Sequence, residues 1–478
     1  VILNKLDNVD AAKEQRYRKV YAKLADFEEY MHALGVRTAL DPMYAYKPEE
    51  KPVPIHREAA MLEGKEVVRQ FKFGAISHNI RMMSIFYDDA KFTSLIEAAR
   101  SEQNWENVRT YVNILEEYST YMSEHQELLT LNFLYELLFH REEDIRRQSA
   151  NLMGRIVANY NELYTKELPK GVVLPGKEIT NITLCRQYLE MIIRPDLRFT
   201  DQHKLWVGSS LSAFVKGLME GCAPKQRKDF LDQLLPYYES GEYSDEVRVN
   251  LLQTLLVLKK EYCDESFLAR VQAFIKSAAE SGTRQLNIFA LQARLHLYQD
   301  ISVKKYWDEL LQVMDLPASD EEFAEAESRL FLDDLKMGVH WGVKVANIDL
   351  MREYTLRNRD RNGAFLHIGT HLVNLLKVSE RAAVRQAAGN ALLSVIKKMP
   401  SSQVNELAIE LYNGLDIGDR QFATYVPEYL GRTAILLPEK ELDEMIDMLE
   451  QSAVEESSAV AKSIMDTVGV ILDHYDEF

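Results

Sequence analysis

Glycine, proline and cysteine are scarce in this chain, and these shortages restrict its structure. The 478 residues include only 20 Gly and 13 Pro, whereas a turn-rich β architecture needs such residues at nearly every corner. The three cysteines, Cys185, Cys222 and Cys263, are far apart in the sequence and form no C-x-x-C pair. We therefore expect reduced, buried thiols in a cytoplasmic protein.

Long apolar runs and excess positive charge are also lacking. No stretch approaches the roughly 18 apolar residues that are needed to span a bilayer. The formal net charge is −17, and a surface of that sign repels both phosphate backbones and anionic lipid. The sequence thus predicts neither a nucleic-acid partner nor a membrane association. Because the chain begins with Val1 and ends at Phe478 without a tail, we interpret it as a fragment of a longer protein.

Most of the chain shows the periodicity of amphipathic helices, with apolar residues at three-to-four spacing. Ala11–Leu34 is one such amphipathic segment, and the prolines at 42, 48, 52 and 54 end it. Interruptions of this helical periodicity divide the chain into six predicted regions. They are a helical arm with a Pro-rich linker (1–58), helical repeats (59–167), a Pro/Gly insert loop (168–180), further repeats (181–314), an acidic helical connection (315–363) and final repeats (364–478).

One helical pattern occurs three times. Each copy contains an apolar–Arg pair, and its apolar residues continue four, eight and eleven positions later on one helix face. The pairs are Ile145-Arg146, Val247-Arg248 and Val384-Arg385. Another apolar helix and a polar turn precede each copy, so the unit is a helical hairpin. A lone hairpin cannot bury both of its faces, which predicts a stack of hairpins.

The segment HLVNLLKVSERAAVRQAAGNALLSVI, which begins at His371, resembles HEAT repeats. The resemblance implies an all-α fold, an α-α superhelix of the HEAT or armadillo kind. It also implies that the repeated arginines, Arg146, Arg248 and Arg385, are structural and pair with acidic residues in neighbouring turns. The copies are 102 and 137 residues apart. With a HEAT period of about 40–47 residues, the second spacing fits three units and the first does not divide cleanly.

Three motifs suggest chemistry but lack an essential residue. Gly171, Gly176 and Lys177 match a phosphate-binding loop, but Glu178 stands where Ser or Thr must bind magnesium. His367 and His371 are four apart on a predicted helix, without a third metal ligand. The single E-x-x-H, Glu29 to His32, lacks the second copy that a di-iron bundle requires. We therefore expect a non-enzyme without metal or cofactor.

Two sets of residues are candidates for partner binding. Arg357, Arg359 and Arg361 could grip an acidic peptide or a phosphate, although a polar turn is the alternative. Tyr237, Tyr238 and Tyr243 could form a recognition ridge, although packing between hairpins explains them equally. The acidic stretch 315–334 could likewise meet a basic partner or form a solvated helix face.

The sequence favours a non-catalytic scaffold or regulatory region that binds a protein or peptide. The alternative is an accessory region of a larger enzyme. The C-terminal repeats resemble HEAT-like stretches of large Firmicute proteins, which accompany nucleotidyltransferase-like or HD-type phosphohydrolase domains. This resemblance implies a bacterial protein whose partners include neighbouring domains of the same chain, with any active site outside the present sequence.

Overall fold

A computed structural model describes residues 85–160, 179–323, 338–379, 381–416, 425–455 and 463–471 except 465, together with 326, 331, 334 and 336. The predicted helical arm and Pro-rich linker, the start of the first repeat region and nearly all of the insert loop lie outside the described residues. So do the Gly171–Lys177 match and the E-x-x-H at Glu29.

The described residues form α-helices and short helical turns and contain no strand, which confirms the predicted all-α class. The chain divides into two compact units between residues 307 and 308, within the helix Val303–Val313 (α12). The helices of the first unit are α1 (Asp89–Ser101), α2 (Trp105–Glu117), α3 (Glu124–Glu136), α4 (Glu143–Asn159), α5 (Asn181–Ile193), α6 (Asp201–Gly208), α7 (Leu211–Gly221), α8 (Arg227–Glu239), α9 (Asp245–Val257), α10 (Glu265–Ala279) and α11 (Arg284–Ala293). Those of the second unit are α13 (Trp341–Arg357), α14 (Ala364–Val378), α15 (Ala382–Val395), α16 (Ser401–Asn413), α17 (Val426–Ala434) and α18 (Glu439–Glu455).

The first unit is a two-layer stack of helical hairpins. In one layer α1 packs on α3, and α5, α8 and α10 follow one another; in the other, α2, α4, α7, α9 and α11 pack in that order. The buried side chains of each helix lie between the layers and between successive hairpins. This arrangement confirms the HEAT-like helical-repeat fold.

The second unit repeats the same construction. Helix α13 packs on α15, α14 pairs antiparallel with α15 as a hairpin, and α16 packs on both α14 and α17. Helix α13 comes from the stretch that the sequence presents as an acidic connection, yet its buried Val343, Ile348 and Met351 contribute to the core of this unit. It is therefore a repeat helix.

The helix order explains the two spacings between the repeated copies. One further helix of the same layer, α7, lies between Arg146 and Arg248, so the 102 residues cover two repeat steps. The excess length is residues 160–180 and the additional short helix α6. Between Arg248 and Arg385 lie α11 in the first unit and α13 in the second.

Two glycines allow α4 and α7 to approach until their backbones touch. A Cβ placed on Gly154 would lie 2.7 Å from the Leu218 amide nitrogen and closer still to the Phe214 carbonyl oxygen. A Cβ on Gly217 would lie 2.9 Å from the Asn151 carbonyl carbon and closer to its oxygen. No larger residue fits either position without separating the helices.

Two of the repeat arginines close their own hairpin turn and also contact a later helix. Arg146 donates hydrogen bonds of 2.7 and 2.8 Å to carbonyls of the turn before α4, and Arg385 donates one of 2.8 Å to the turn before α15. Both side chains are buried. The Arg146 guanidinium lies 5.0 Å from the Trp206 ring, and that of Arg385 lies 4.2 Å from the Tyr425 ring. Through these carbonyls and rings, each arginine thus connects the turn of its own hairpin to a later part of the stack.

Arg248 differs from the other two. It lies 3.5 Å from Asp245, an acidic residue of its own helix, and donates a 3.2 Å hydrogen bond to Ser277 of α10. Its acidic partner is therefore within the same repeat, and the link to the next hairpin is a hydroxyl.

Candidate protein-binding surface

Five half-buried aromatic side chains form a continuous surface where α3, α5 and α6 meet in the first unit. We call Tyr135, Phe139, Phe199, His203 and Trp206 the aromatic ridge. The Phe139 ring is central: its centroid lies 4.8 Å from that of Phe199 and 5.6 Å from those of Tyr135 and His203. All three contacts are edge-to-face, and His203 lies 5.5 Å from Trp206.

The loop between α5 and α6 places Phe199 on the ridge. The Asp196 carboxylate accepts hydrogen bonds from the Arg198 amide at 2.9 Å and from its guanidinium at 2.7 and 3.1 Å. These hydrogen bonds hold the pKa of Asp196 at about 2. The Phe199 amide closes the turn by donating to the Asp196 carbonyl at 3.0 Å. This turn directs Phe199 inward against Phe139 and leaves Leu197 89% exposed.

Helix α6 supplies the other half of the ridge. The Thr200 hydroxyl accepts from the His203 amide at 3.1 Å and begins the helix. His203 and Trp206 are three residues apart and therefore lie on one face. The buried Arg146 guanidinium supports the Trp206 ring from below, so a repeat arginine fixes part of the surface.

The ridge combines apolar area with unused hydrogen-bonding groups. Leu197 and Leu205, at 89% and 49% exposure, extend the apolar area beside the rings. The Tyr135 hydroxyl, the His203 imidazole and the Trp206 indole N–H have no hydrogen-bond partner among the described residues. Such a surface can bury an apolar ligand and orient it by a few polar contacts.

Charges beside the ridge are paired with each other. Arg198 lies 2.7 Å from Asp196, and Lys204 lies 3.9 Å from Asp201. Both pairs are local and exposed, so they leave little net field for attracting a charged ligand. Recognition at the ridge therefore depends on shape, apolar area and hydrogen bonds.

Two of the predicted ridge tyrosines belong to the core instead. Tyr237 and Tyr238 are 7% and 5% exposed, so most of each ring is covered by the chain itself. Tyr237 donates a 2.6 Å hydrogen bond to Glu190 of α5, and Tyr238 donates one of 2.7 Å to the Leu251 carbonyl of α9. Burial raises the pKa of both hydroxyls. Both side chains thus pack between neighbouring hairpins.

The third predicted tyrosine, Tyr243, is half-buried beside the loop of the ridge. Its hydroxyl accepts a 3.3 Å hydrogen bond from Arg194 and donates one of 3.0 Å to the Ser240 carbonyl. The Arg194 guanidinium lies over the rings of Tyr237 and Tyr243, at 5.3 and 5.8 Å from their centroids. Since Arg194 begins the loop that carries Leu197 and Phe199, these tyrosines anchor that loop.

The predicted arginine group lies in the second unit, at the end of α13 and in the following turn. Arg357 is 3.6 Å from Asp320, and Arg361 is 4.0 Å from Glu321. Arg359 is exposed and has no ionic partner among the described residues. The basic turn and the acidic stretch therefore face one another, and each reduces the charge that the other offers to a partner.

The two histidines that are four apart on the sequence do not share a site. His367 is exposed, whereas the buried His371 lies 3.0 Å from Asp334 and stacks on Phe331. Asn347 donates a 2.8 Å hydrogen bond to the other oxygen of Asp334. Burial raises the pKa of the Asp334 carboxyl. Within the described part of the chain, no group of three His, Cys, Asp or Glu side chains could hold a metal ion.

The sequence carries one signal of the ridge. The loop RPDLRFT places Leu197 and Phe199 among charged residues next to a proline, where an apolar side chain has no helix face to join. Exposed apolar residues in such loops often contact partners. Nothing in the sequence, however, connects this loop with Tyr135 and Phe139 some sixty residues earlier.

Comparisons with known proteins give solved structures and nothing else. No protein-family model and no curated protein matches the sequence. An engineered protein aligns at 12% identity over 87% of this chain and 98% of its own, with a TM-score of 0.25. The Kap95:Nup1 complex aligns at 12% identity over 86% of this chain and 56% of its own, with a TM-score of 0.34. Kap121p bound to Pho4p aligns at 12% identity over 88% of this chain and 40% of its own, with a TM-score of 0.25.

This chain spans about half the length of the Kap95 chain that it matches, and less of Kap121p. At such identities and scores, the likeness carries no argument about function. Separately, no helix of the described ranges combines the length and the apolar character needed to cross a membrane.

Proposed function

We propose that this chain is a non-catalytic scaffold of the bacterial cytoplasm that binds a protein or peptide partner at the aromatic ridge. The observation that carries the proposal is the ridge itself. It presents five rings and two exposed leucines together with three polar groups that lack a hydrogen-bond partner within the described part of the chain. Binding hot spots are enriched in such aromatic side chains, since they bury much area at low entropic cost.

The support of the ridge strengthens the proposal. Buried or well-anchored groups hold its parts in place: Arg146 beneath Trp206, the Asp196 turn beneath Phe199, and Arg194 at the start of the loop. A surface that already has its bound form loses less conformational entropy when a ligand arrives. The partner supplies an apolar segment with carbonyl or hydroxyl groups, because those match the unused donors.

Replacing Leu197 by Asp tests this proposal. The side chain is 89% exposed, so the substitution alters the surface and not the core. The matched control is Val303→Asp, which introduces the same charge at another exposed apolar position of the same unit, 62% exposed. Partners captured by the wild-type chain from cell extract are identified by mass spectrometry and their affinities are then measured with purified proteins.

We expect Leu197→Asp to weaken binding by about tenfold or more, since burying a leucine side chain contributes roughly 1.5–3 kcal/mol. Val303→Asp should leave the affinity unchanged. A partner that both variants bind like the wild type, or that only Val303→Asp loses, would place the binding surface elsewhere. Trp206→Phe, which keeps a ring but removes the N–H donor, should give a smaller loss if the indole donates to the partner.

A further inference from the structure

The loop that carries Leu197 is held on the first unit at its two ends. Within the described residues, every hydrogen bond of residues 195–199 connects one part of the loop to another. These bonds fix the shape of the loop but not its orientation on the stack. The orientation depends on the contact of Phe199 with Phe139 at one end and on Arg194 at the other.

Arg194 connects its end of the loop to the following hairpin. Helix α5 ends here because Pro195 has no amide hydrogen to donate to a further helical turn. The guanidinium donates a 3.3 Å hydrogen bond to the Tyr243 hydroxyl and lies over the rings of Tyr237 and Tyr243. Its ion pair with Glu190, at 3.5 Å, stays within α5. The two tyrosines therefore provide the support from the next repeat.

Gly241 in turn fixes the place of the Tyr243 ring. Its φ of +137° is a conformation that residues with a side chain rarely adopt. A Cβ at position 241 would lie 2.6 Å from Cζ of the Tyr243 ring, so the ring packs directly on the glycine. The Tyr243 hydroxyl also donates a 3.0 Å hydrogen bond to the Ser240 carbonyl. A side chain at position 241 would displace the ring from Arg194.

We propose that Tyr243 and Gly241 are positioning residues of the aromatic ridge. They lie in the turn between α8 and α9, outside the ridge, and act on a bound partner through Arg194 and the loop without touching the partner. The affinity of Leu197 for an apolar segment thus depends on the neighbouring hairpin, as binding groups generally depend on the residues that hold them. This inference rests on the proposed function, because it concerns the support of the same surface.

Limited trypsin digestion of the pure chain tests the positioning. The bond between Arg198 and Phe199 lies in the exposed loop, whereas the bond after Arg194 precedes proline and resists trypsin. The loop must leave the surface before it is cut, so the cleavage rate reports how firmly it is held. Tyr243→Ala should raise this rate about fivefold, and Tyr243→Phe, which keeps the ring and loses the hydroxyl, about twofold.

Two matched controls separate this effect from a general loss of stability. Tyr262→Ala removes another half-buried tyrosine of the first unit, whose ring centroid lies 4.0 Å from the Arg227 guanidinium. Gly282→Ala is the control for Gly241→Ala, because a Cβ on Gly282 would meet nothing within 4 Å. Both controls should leave cleavage of the loop unchanged, whereas Gly241→Ala should raise it as Tyr243→Ala does. Unchanged cleavage in Tyr243→Ala, or an equal rise in Tyr262→Ala, would overturn the inference.

The affinity of the partner protein captured by the wild-type chain gives a second readout. Tyr243→Ala should weaken binding about fivefold in the wild-type chain and have no effect in Leu197→Asp, where the loop no longer contributes. An equal loss in both backgrounds would mean that Tyr243 touches the partner itself and would also overturn the inference. The digestion needs no partner, so its result is separate from the scaffold proposal, which fails if Leu197→Asp leaves partner affinity unchanged.

Discussion

Replacing Gly217 by Ala has two opposing effects on stability: it improves helix propensity and worsens the packing against α4. In an isolated helix this change is favourable by about 1 kcal/mol, because glycine loses more backbone entropy on folding. At this position, however, the added Cβ would lie 2.9 Å from the Asn151 carbonyl carbon of α4 and closer to its oxygen. The neighbour is backbone and cannot rotate away as a side chain would.

The helices must therefore separate at the crossing. Moving α4 and α7 apart opens gaps beside the buried Leu152, Met153, Phe214 and Leu218. Overpacking of this kind costs about 1–3 kcal/mol or more. We expect a net destabilisation of about 2 kcal/mol, opposite in sign to the propensity effect.

The assay is urea unfolding, combined with hydrogen exchange of peptides from α4 and α7. Gly469→Ala is the matched control, because Gly469 is also helical and a Cβ there would meet nothing within 4 Å. That control should be neutral or stabilising by up to about 1 kcal/mol. If Gly217→Ala were as stable as Gly469→Ala, with unchanged exchange in α4, the close crossing would be refuted.

Three further predictions concern ionisable side chains that are buried or half-buried. Arg385→Ala should lower the free energy of unfolding by about 2–4 kcal/mol, because the charged hydrogen bond and the contact with Tyr425 are lost. In the same urea titration, Arg385→Lys should recover less than half of that lost free energy. Burial raises the pKa of Glu127 from 4.5 to about 8, so this carboxyl stabilises the fold fully at low pH and loses that contribution as the pH rises through 8. In thermal melts Glu127→Gln should therefore match the wild type near pH 4 and exceed it near pH 8; equal curves would contradict the raised pKa. Asp334→Ala should lower the free energy of unfolding by about 3 kcal/mol, because the buried His371 loses its partner. Asp334→Asn can still form a hydrogen bond and should lower it by less in the same melts.

The repeat architecture was predictable because it depends on local patterns. Apolar residues at three-to-four spacing identify each helix, and the apolar–Arg pair at Val384-Arg385 marks a turn that the arginine closes. Helix α7 could not be recognised as a repeat helix from the sequence, because Leu211–Gly221 has apolar spacing but no apolar–Arg pair near its start. The additional helix α6 then obscured the repeat period.

The candidate surface was not predictable, because hairpin stacking creates it. Phe139 and Phe199 meet only after α3 and α5 have packed in successive repeats. The tyrosines at 237 and 238 looked like a ridge because aromatic clusters near turns often bind partners. The direction in which a ring points depends on the neighbouring hairpin. Here the Tyr237 hydroxyl donates to Glu190 and the Tyr238 hydroxyl to the Leu251 carbonyl, so both point inward. The pairing of His371 with Asp334 likewise joins residues that share no sequence pattern.

The backbone contact between α4 and α7 also has a mechanical consequence. Helical stacks bend by small sliding movements between neighbouring repeats, but at Gly154 and Gly217 two backbones interlock without side chains that could yield. The aromatic ridge draws its rings from the two hairpins that this joint connects. Sliding at this joint is therefore restricted, and the ring contacts of Phe139 keep their spacing when other joints of the first unit move.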